Sequence, residues 1–200
     1  MTGLLSSAFP LAARVMDRCD EIAGISAHPS AISRFYLTRE HKQFNDRVDG
    51  WMRAAGMTTW EDNAGNLWGR YSAAADASQP VRTMILGSHL DSVPNAGRYD
   101  GPLGVLAGLA VVELLQSEQR RLPFNIDVVA FGDEEGARFG TTLLGSYPVA
   151  DYWNFEWWDL EDDDGITLRE ANEHFGLDPR GITDCARDPE SLLGYLELHI

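Results

Sequence analysis

The feature that most constrains this chain is a pair of compact apolar runs, residues 83–87 and 126–132, with a longer stretch between them, 103–115, that is apolar at helical spacing. A strand open to water on one face alternates apolar and polar residues, whereas a strand covered on both faces reads as a run. Strand, helix, strand in that order predicts a βαβ unit. The fold class that follows is α/β: a mixed, largely parallel sheet covered by helices on both faces.

The flanking segments have other periods. Leu5, Phe9, Ala12, Val15, Met16, Cys19 and Ile22 recur every three to four residues and predict an amphipathic helix over 5–23. Phe44, Val48, Trp51, Met52 and Ala55 predict a second helix over 39–55, with Gly56 placed to end it. The period then falls to two. Residues 57–61 and 67–71 are expected to form a hairpin, joined by the turn-tolerant string Asp62-Asn63-Ala64-Gly65-Asn66. Residues 73–81 make an exposed connection. A short helix is expected over 167–175, where Thr167 and Glu170 have capping-box spacing, and a strand over 195–200. No internal repeat or domain boundary is visible, so 1–200 is read as one unit.

Charge narrows the partners. A net charge of −15 offers no positive field to a polyanion, which argues against nucleic acid and anionic membranes and favours small molecules and metal cations. The two cysteines, Cys19 and Cys185, stand far apart and outside any paired motif, the pattern of reduced thiols. Arg14, Asp17, Arg18, Asp20 and Glu21 interrupt the apolar N-terminal segment, so neither a membrane span nor a signal peptide is expected there. The expected location is cytoplasmic.

The polar residues of interest stand where the apolar runs end. His89 and Asp91 close the first, Asp100 lies in the loop before the helix, and Asp133, Glu134 and Glu135 close the second. In a parallel sheet, groups just past the carboxyl ends of strands converge on one crevice. Imidazole and carboxylate donors without cysteine suit zinc, manganese or cobalt in a catalytic site rather than a closed structural one. Asp100 is placed to bridge two ions, and a pair of ions can polarise a carbonyl and acidify a water. Asp91 can accept the His89 ring N–H that faces away from the metal. One of the adjacent Glu134 and Glu135 can ligate while the other acts on substrate as a general base.

Weaker signals are read as structural. His28, His41 and His174 have no partner motif and are assigned to surface or packing roles. Trp153, Phe155, Trp157 and Trp158 are assigned to a core patch or contact rather than a substrate platform. Asp162-Asp163-Asp164-Gly165 lacks the spacing of a calcium loop and is read as the solvated start of a helix. The glycines at 97, 101 and 104 serve a turn and helix packing.

At this point a family resemblance enters. The stretch from Gly87 to Val105, containing Ser88-His89-Leu90-Asp91 and Gly97-Arg98-Tyr99-Asp100-Gly101, resembles the first metal motif of the hydantoinase/carbamoylase family. Gly132-Asp133-Glu134-Glu135-Gly136-Ala137-Arg138-Phe139-Gly140, followed by Leu144-Gly145-Ser146, resembles its second motif. Asp62-Asn63-Ala64-Gly65-Asn66-Leu67 is similar to its early hairpin, and Leu196-Glu197-Leu198-His199-Ile200 to the start of its third motif. The family belongs to the aminoacylase-type di-zinc peptidase superfamily. The resemblance implies a zinc-peptidase-like catalytic domain in which His89, Asp100 and His199 hold one metal, Asp100 and Glu135 the other, and Glu134 is the base. It implies two divalent ions, Zn2+ or Mn2+ with Co2+ or Ni2+ as substitutes, and cleavage of a carbamoyl or ureido C–N bond in a small carboxylate substrate, with release of ammonia and carbon dioxide. N-carbamoyl-L-amino acids and allantoate are the implied substrates. The rival readings are a dipeptidase or aminoacylase of the same superfamily and an inactive metal-binding module. Family members continue for about as many residues again, with a lid domain that dimerises, a last metal-binding histidine and groups for the substrate carboxylate. This chain is therefore expected to be the N-terminal part of the catalytic domain, without the lid.

Overall fold

The computed structural model describes residues 2–77 and 80–200. Positions 78 and 79 of the expected exposed connection, and the side chain of Leu5, lie outside what is described.

Helix α1 (Thr2–Ala23) is followed by α2 (Arg39–Ala54), β1 (Thr58–Glu61), β2 (Leu67–Tyr71), β3 (Thr83–His89), α3 (Pro102–Ser117), β4 (Asn125–Phe131), α4 (Leu168–Phe175) and β5 (Leu192–Glu197). Local chemistry sets the helix ends. The Thr38 hydroxyl accepts the His41 N–H at the start of α2, and Gly56, at φ +78°, turns the chain away after it. At α4 the reciprocal Thr167–Glu170 capping box forms, and Gly176 takes the left-handed conformation beyond the helix. The hairpin turn folds around Asp62, whose carboxylate accepts the N–H groups of Ala64 and Asn66 and the Trp68 indole.

The five strands lie in the order β1-β2-β4-β3-β5. β3 pairs in parallel with β4 and β5, while β2 runs antiparallel to β1 and β4. The sheet is mixed as expected, with parallel and antiparallel pairings equal in number. The parallel β3–β4 pair requires a crossover, which α3 supplies.

The main core lies between one face of the sheet and all three long helices. Val105, Leu106, Leu109 and Val112 of α3 and Phe44, Val48 and Met52 of α2 are fully buried against Leu67, Ile126, Val128 and Ala130. Each such side chain contributes roughly 1.5–3 kcal/mol through burial. Gly104 lets α3 approach closely, since a Cβ there would lie 2.7 Å from the Ser88 Cβ. The apolar stripe of α1 is buried only in its second half. Val15, Cys19 and Ile22 are covered, but Phe9 is 76% exposed.

The expected helical layer on both faces is therefore present on one. The other face carries Trp68, Ile85, Val129 and Phe131, met by Val149 from a 3-10 turn at Pro148–Ala150 and by Leu192. A second, smaller core packs Tyr36, Phe139, Leu144, Trp158, Leu168 and Ile182 around α4. Trp153 and Trp157 pack against it, and Phe155 stays exposed. Among the described residues, no helix is long and apolar enough to cross a membrane.

Candidate metal centre

The sequence-predicted site residues meet at one rim of the sheet, where β3, β4 and β5 end. His89 is the last residue of β3 and is 1% exposed. Its packing depends on Gly101, at φ +80°, where a Cβ would stand 2.6 Å from the imidazole. The backbone around Asp100 therefore requires glycine for two separate reasons, handedness and space. Gly97, by contrast, faces nothing within 4 Å.

His89 Nδ1 lies 3.1 Å from the Asp91 carbonyl and 3.3 Å from its carboxylate. A proton on Nδ1 is thereby shared with Asp91, and Nε2 is left as the donor atom facing the site. The Asp91 carboxylate also accepts the backbone N–H groups of Glu134, at 2.9 Å, and Glu135, at 3.0 Å. One buried aspartate thus ties the end of β3 to the loop after β4. Spacing alone pointed to the histidine contact. The two amide bonds, across more than forty residues of chain, have no local signal.

His199 does not lie in a strand: β5 begins three residues earlier than expected, at Leu192, and ends at Glu197. Adjacent leucines and Gly194 break the alternation that would have marked its start. His199 still reaches the rim, with Nε2 3.2 Å from that of His89, and it is 41% exposed. Asp100 Oδ1 is 3.6 Å from both nitrogens. Glu134 reaches within 4.0 Å of His89 Nε2. The donor atoms of His89, Glu134 and His199 lie within 4.8 Å of one another, as do those of His89, Asp100 and Glu135. Both glutamates thus face the cluster, whereas a continued strand would have sent them to opposite sides.

This donor set fits a divalent cation. Ligands at about 2.0–2.1 Å in a tetrahedron stand about 3.3 Å apart, and the His89, His199 and Asp100 atoms are separated by 3.2–3.6 Å. Among the described residues, the ion pairs of Asp91, Asp100 and Glu134 go only to the two histidines. Negative charge is left in excess. Burial would push the His89 imidazole down, but Asp91 and Glu134 outweigh it and hold the ring at about 9. Burial and then the Asp100 charge raise Glu135. Asp133 is held well above the ordinary carboxylate range by burial and the Asp91 charge, even though its side chain accepts the Leu144 N–H.

Sequence reading missed two supports. Glu197 accepts the Ser88 and Tyr195 hydroxyls and lies 3.9 Å from His199 Nδ1; its two-residue spacing from His199 was the available signal. Asn66 donates to the Gly145 carbonyl and accepts the Gly132 N–H, bracing the loop that carries Glu134 and Glu135. The acidic string at 162–165 forms a local turn in which the Asp162 carboxylate takes backbone N–H groups and Arg138. His28 and His174 are exposed and His41 is buried against Phe175.

Comparison with known proteins places this rim in context. Residues 85–192 match the profile of Peptidase family M20/M25/M40. The N-carbamoyl-L-amino acid amidohydrolase of Geobacillus stearothermophilus is 42% identical over 189 residues, which cover 94% of this chain and 45% of that protein. The allantoate deiminase of Arabidopsis thaliana is 32% identical over 187 residues, 92% of this chain and 35% of that protein. A solved hydantoinase/carbamoylase family amidase from Burkholderia ambifaria superposes with a TM-score of 0.83 at 34% identity, covering 94% of this chain and 45% of its own. The chain spans less than half the length of each of these relatives.

Proposed function

Because the chain belongs to Peptidase family M20/M25/M40, we propose that it forms the first part of the metal-binding domain of an amidohydrolase that cleaves a carbamoyl or ureido C–N bond in a small carboxylate substrate. The observation that carries this reading is the cluster of His89 Nε2, His199 Nε2 and Asp100 Oδ1 at 3.2–3.6 Å, with Glu134 beside it. The names of the 42% and 32% identical relatives support the choice of bond.

On this reading His89, Asp100 and His199 hold one divalent ion, and Asp100 and Glu135 hold a second. Zinc or manganese suits these nitrogen and oxygen donors, with cobalt or nickel as substitutes. Two such ions, when bound, supply the Lewis acidity that polarises a carbonyl and acidifies a water. Glu134 takes the proton from the attacking water and delivers it to the departing nitrogen, so that ammonia leaves and carbon dioxide follows. Asp91 keeps the His89 ring oriented. The remainder of a longer protein would contribute the groups for the substrate carboxylate and a dimerising domain.

The family description favours one rival, a dipeptidase or aminoacylase. The complete protein of which this chain would be a part, supplied with manganese or zinc, should therefore be assayed on N-carbamoyl-L-amino acids, allantoate and dipeptides, with bound metal counted in the same samples. Turnover of a carbamoyl or ureido compound with two ions bound supports the proposal. Turnover of dipeptides alone, or one bound ion with no turnover, overturns it.

A further inference from the structure

Arg34 is 1% exposed, in the irregular segment between α1 and α2. That segment is laced to the chain beyond His89. Ala96 N–H donates to the Ile32 carbonyl and Ser92 N–H to the Arg34 carbonyl, each at 2.9 Å, while Arg34 N–H donates to the Ser92 hydroxyl at 3.0 Å. The Arg34 side chain runs under the same loop. Its Nε donates to the Leu90 carbonyl at 3.1 Å, and its guanidinium lies 5.0 Å above the Phe44 ring. Nη1 and Nη2 are buried and have no hydrogen-bond acceptor among the described residues.

Packing does not account for this side chain. A buried guanidinium with two unsatisfied nitrogens costs more than a hydrocarbon of similar volume in the same space. The loop it holds through the Leu90 carbonyl carries the buried Asp91 carboxylate, which receives the Glu134 and Glu135 amides and lies against the His89 ring. Burial brings the guanidinium down to about 10, and the Asp91 charge opposes that fall, so the group stays cationic at neutral pH.

We propose that Arg34 is a positioning residue for the metal centre: from the core side it anchors the 89–92 loop through the Leu90 carbonyl and balances the Asp91 carboxylate, so that Asp91 holds His89, Glu134 and Glu135 in register. The link to metal binding rests on the reading of the rim given above; the link to loop geometry does not.

Amide hydrogen exchange on the metal-free protein tests the geometry. In Arg34→Met the Glu134 and Glu135 amides should exchange on the order of tenfold faster than in wild type, a local opening. The Leu86 and Val128 amides in the β3–β4 ladder serve as reference and should be unchanged. Calorimetric titration with Mn2+ should show about tenfold weaker binding, with Arg34→Lys restoring it to within about threefold because lysine keeps a charge and a donor. Wild-type protection at Glu134 and Glu135 overturns the proposal, as does a uniform loss across rim and ladder, which would mark general packing. If Arg34→Met does not fold, Arg34→Lys is compared with Arg34→Gln: protection kept by lysine and lost by glutamine supports the proposal, and equal protection overturns it. A wild-type protein that binds no Mn2+ defeats the metal reading, while exchange at the two amides still decides the role of Arg34.

Discussion

Two buried aspartates, one within the sheet and one at its rim, show how differently one charge can be used. Asp127, in the middle of β4, meets Arg70 in a two-bond fork at 2.7 Å, with Arg187 3.6 Å away. The Arg70 guanidinium sits over Trp60, and that of Arg187 over both Trp60 and Trp68, whose rings are stacked. The Asp127 charge is fully compensated there. Asp91, at the rim, stands among Asp100, Asp133, Glu134 and Glu135, and its ion-pair partner among the described residues is a histidine. The first arrangement holds strands together; the second stores like charge that a divalent cation would relieve. The difference teaches that burial of a carboxylate is uninformative until its partners are counted.

The contrast breaks if substitutions at Glu134 or Glu135 disturb the fold or if Asp127 substitutions disturb metal binding. The largest effect is expected at Glu134. Glu134→Gln should lower kcat by roughly a hundred- to ten-thousand-fold while metal content by atomic absorption stays the same, since it removes the proton acceptor alone. Activity within tenfold of wild type would move the base elsewhere. Asp127→Ala should act in the opposite sense, costing about 2 kcal/mol, below the usual range for a broken buried pair because the Arg70 and Arg187 side chains are partly exposed and can rehydrate. Thermal unfolding should then fall by about 4–8 °C with Mn2+ affinity intact. A shift in metal affinity would mean that the two regions are coupled.

A pH series sharpens the comparison. The His89 imidazole is held at about 9 in the folded chain, against 6.5 as its ordinary value. Its contribution to the stability of the metal-free protein, on the order of 3 kcal/mol, is complete below pH 6.5 and is lost as pH rises through 9. Metal binding needs the neutral ring, so affinity should move the other way, rising up to about tenfold per pH unit until pH 9. Calorimetry in buffers of different ionisation enthalpy reads the proton released on binding. A pH-independent affinity would exclude His89 as a ligand. The smallest effect concerns Glu135, raised by burial and by Asp100. Glu135→Gln should weaken metal binding yet stabilise the metal-free protein by under about 1 kcal/mol after solvent screening, and a lower melting temperature would contradict the stored-repulsion picture.

Much of this was legible in the chain. The period of two followed by apolar runs located β1 to β4, and Thr167 with Glu170 announced the start of α4. Strand ends located His89 and the Asp133–Glu134–Glu135 string, and the family resemblance brought in His199. Other features were not legible. Nothing in the spacing of α1 said that Phe9 would face water, nor that the long helices would share one face of the sheet. Arg34, Asn66 and Glu197 read as ordinary polar residues in a loop, a turn and a strand, because their significance lies in what they touch.

The amino-acid order by itself determined which segments are helix or strand and which chemical groups stand at their ends, since period, capping and turn chemistry act over a few residues. Only the tertiary structure decided that Asp91 accepts two amides from the far side of the α3 crossover, that Gly101 makes room for the His89 ring, and that the buried Arg34 side chain reaches the Leu90 carbonyl. Those contacts join residues tens of positions apart, and a hydrogen bond or an ion pair depends on distance in space, which no local pattern of residues encodes.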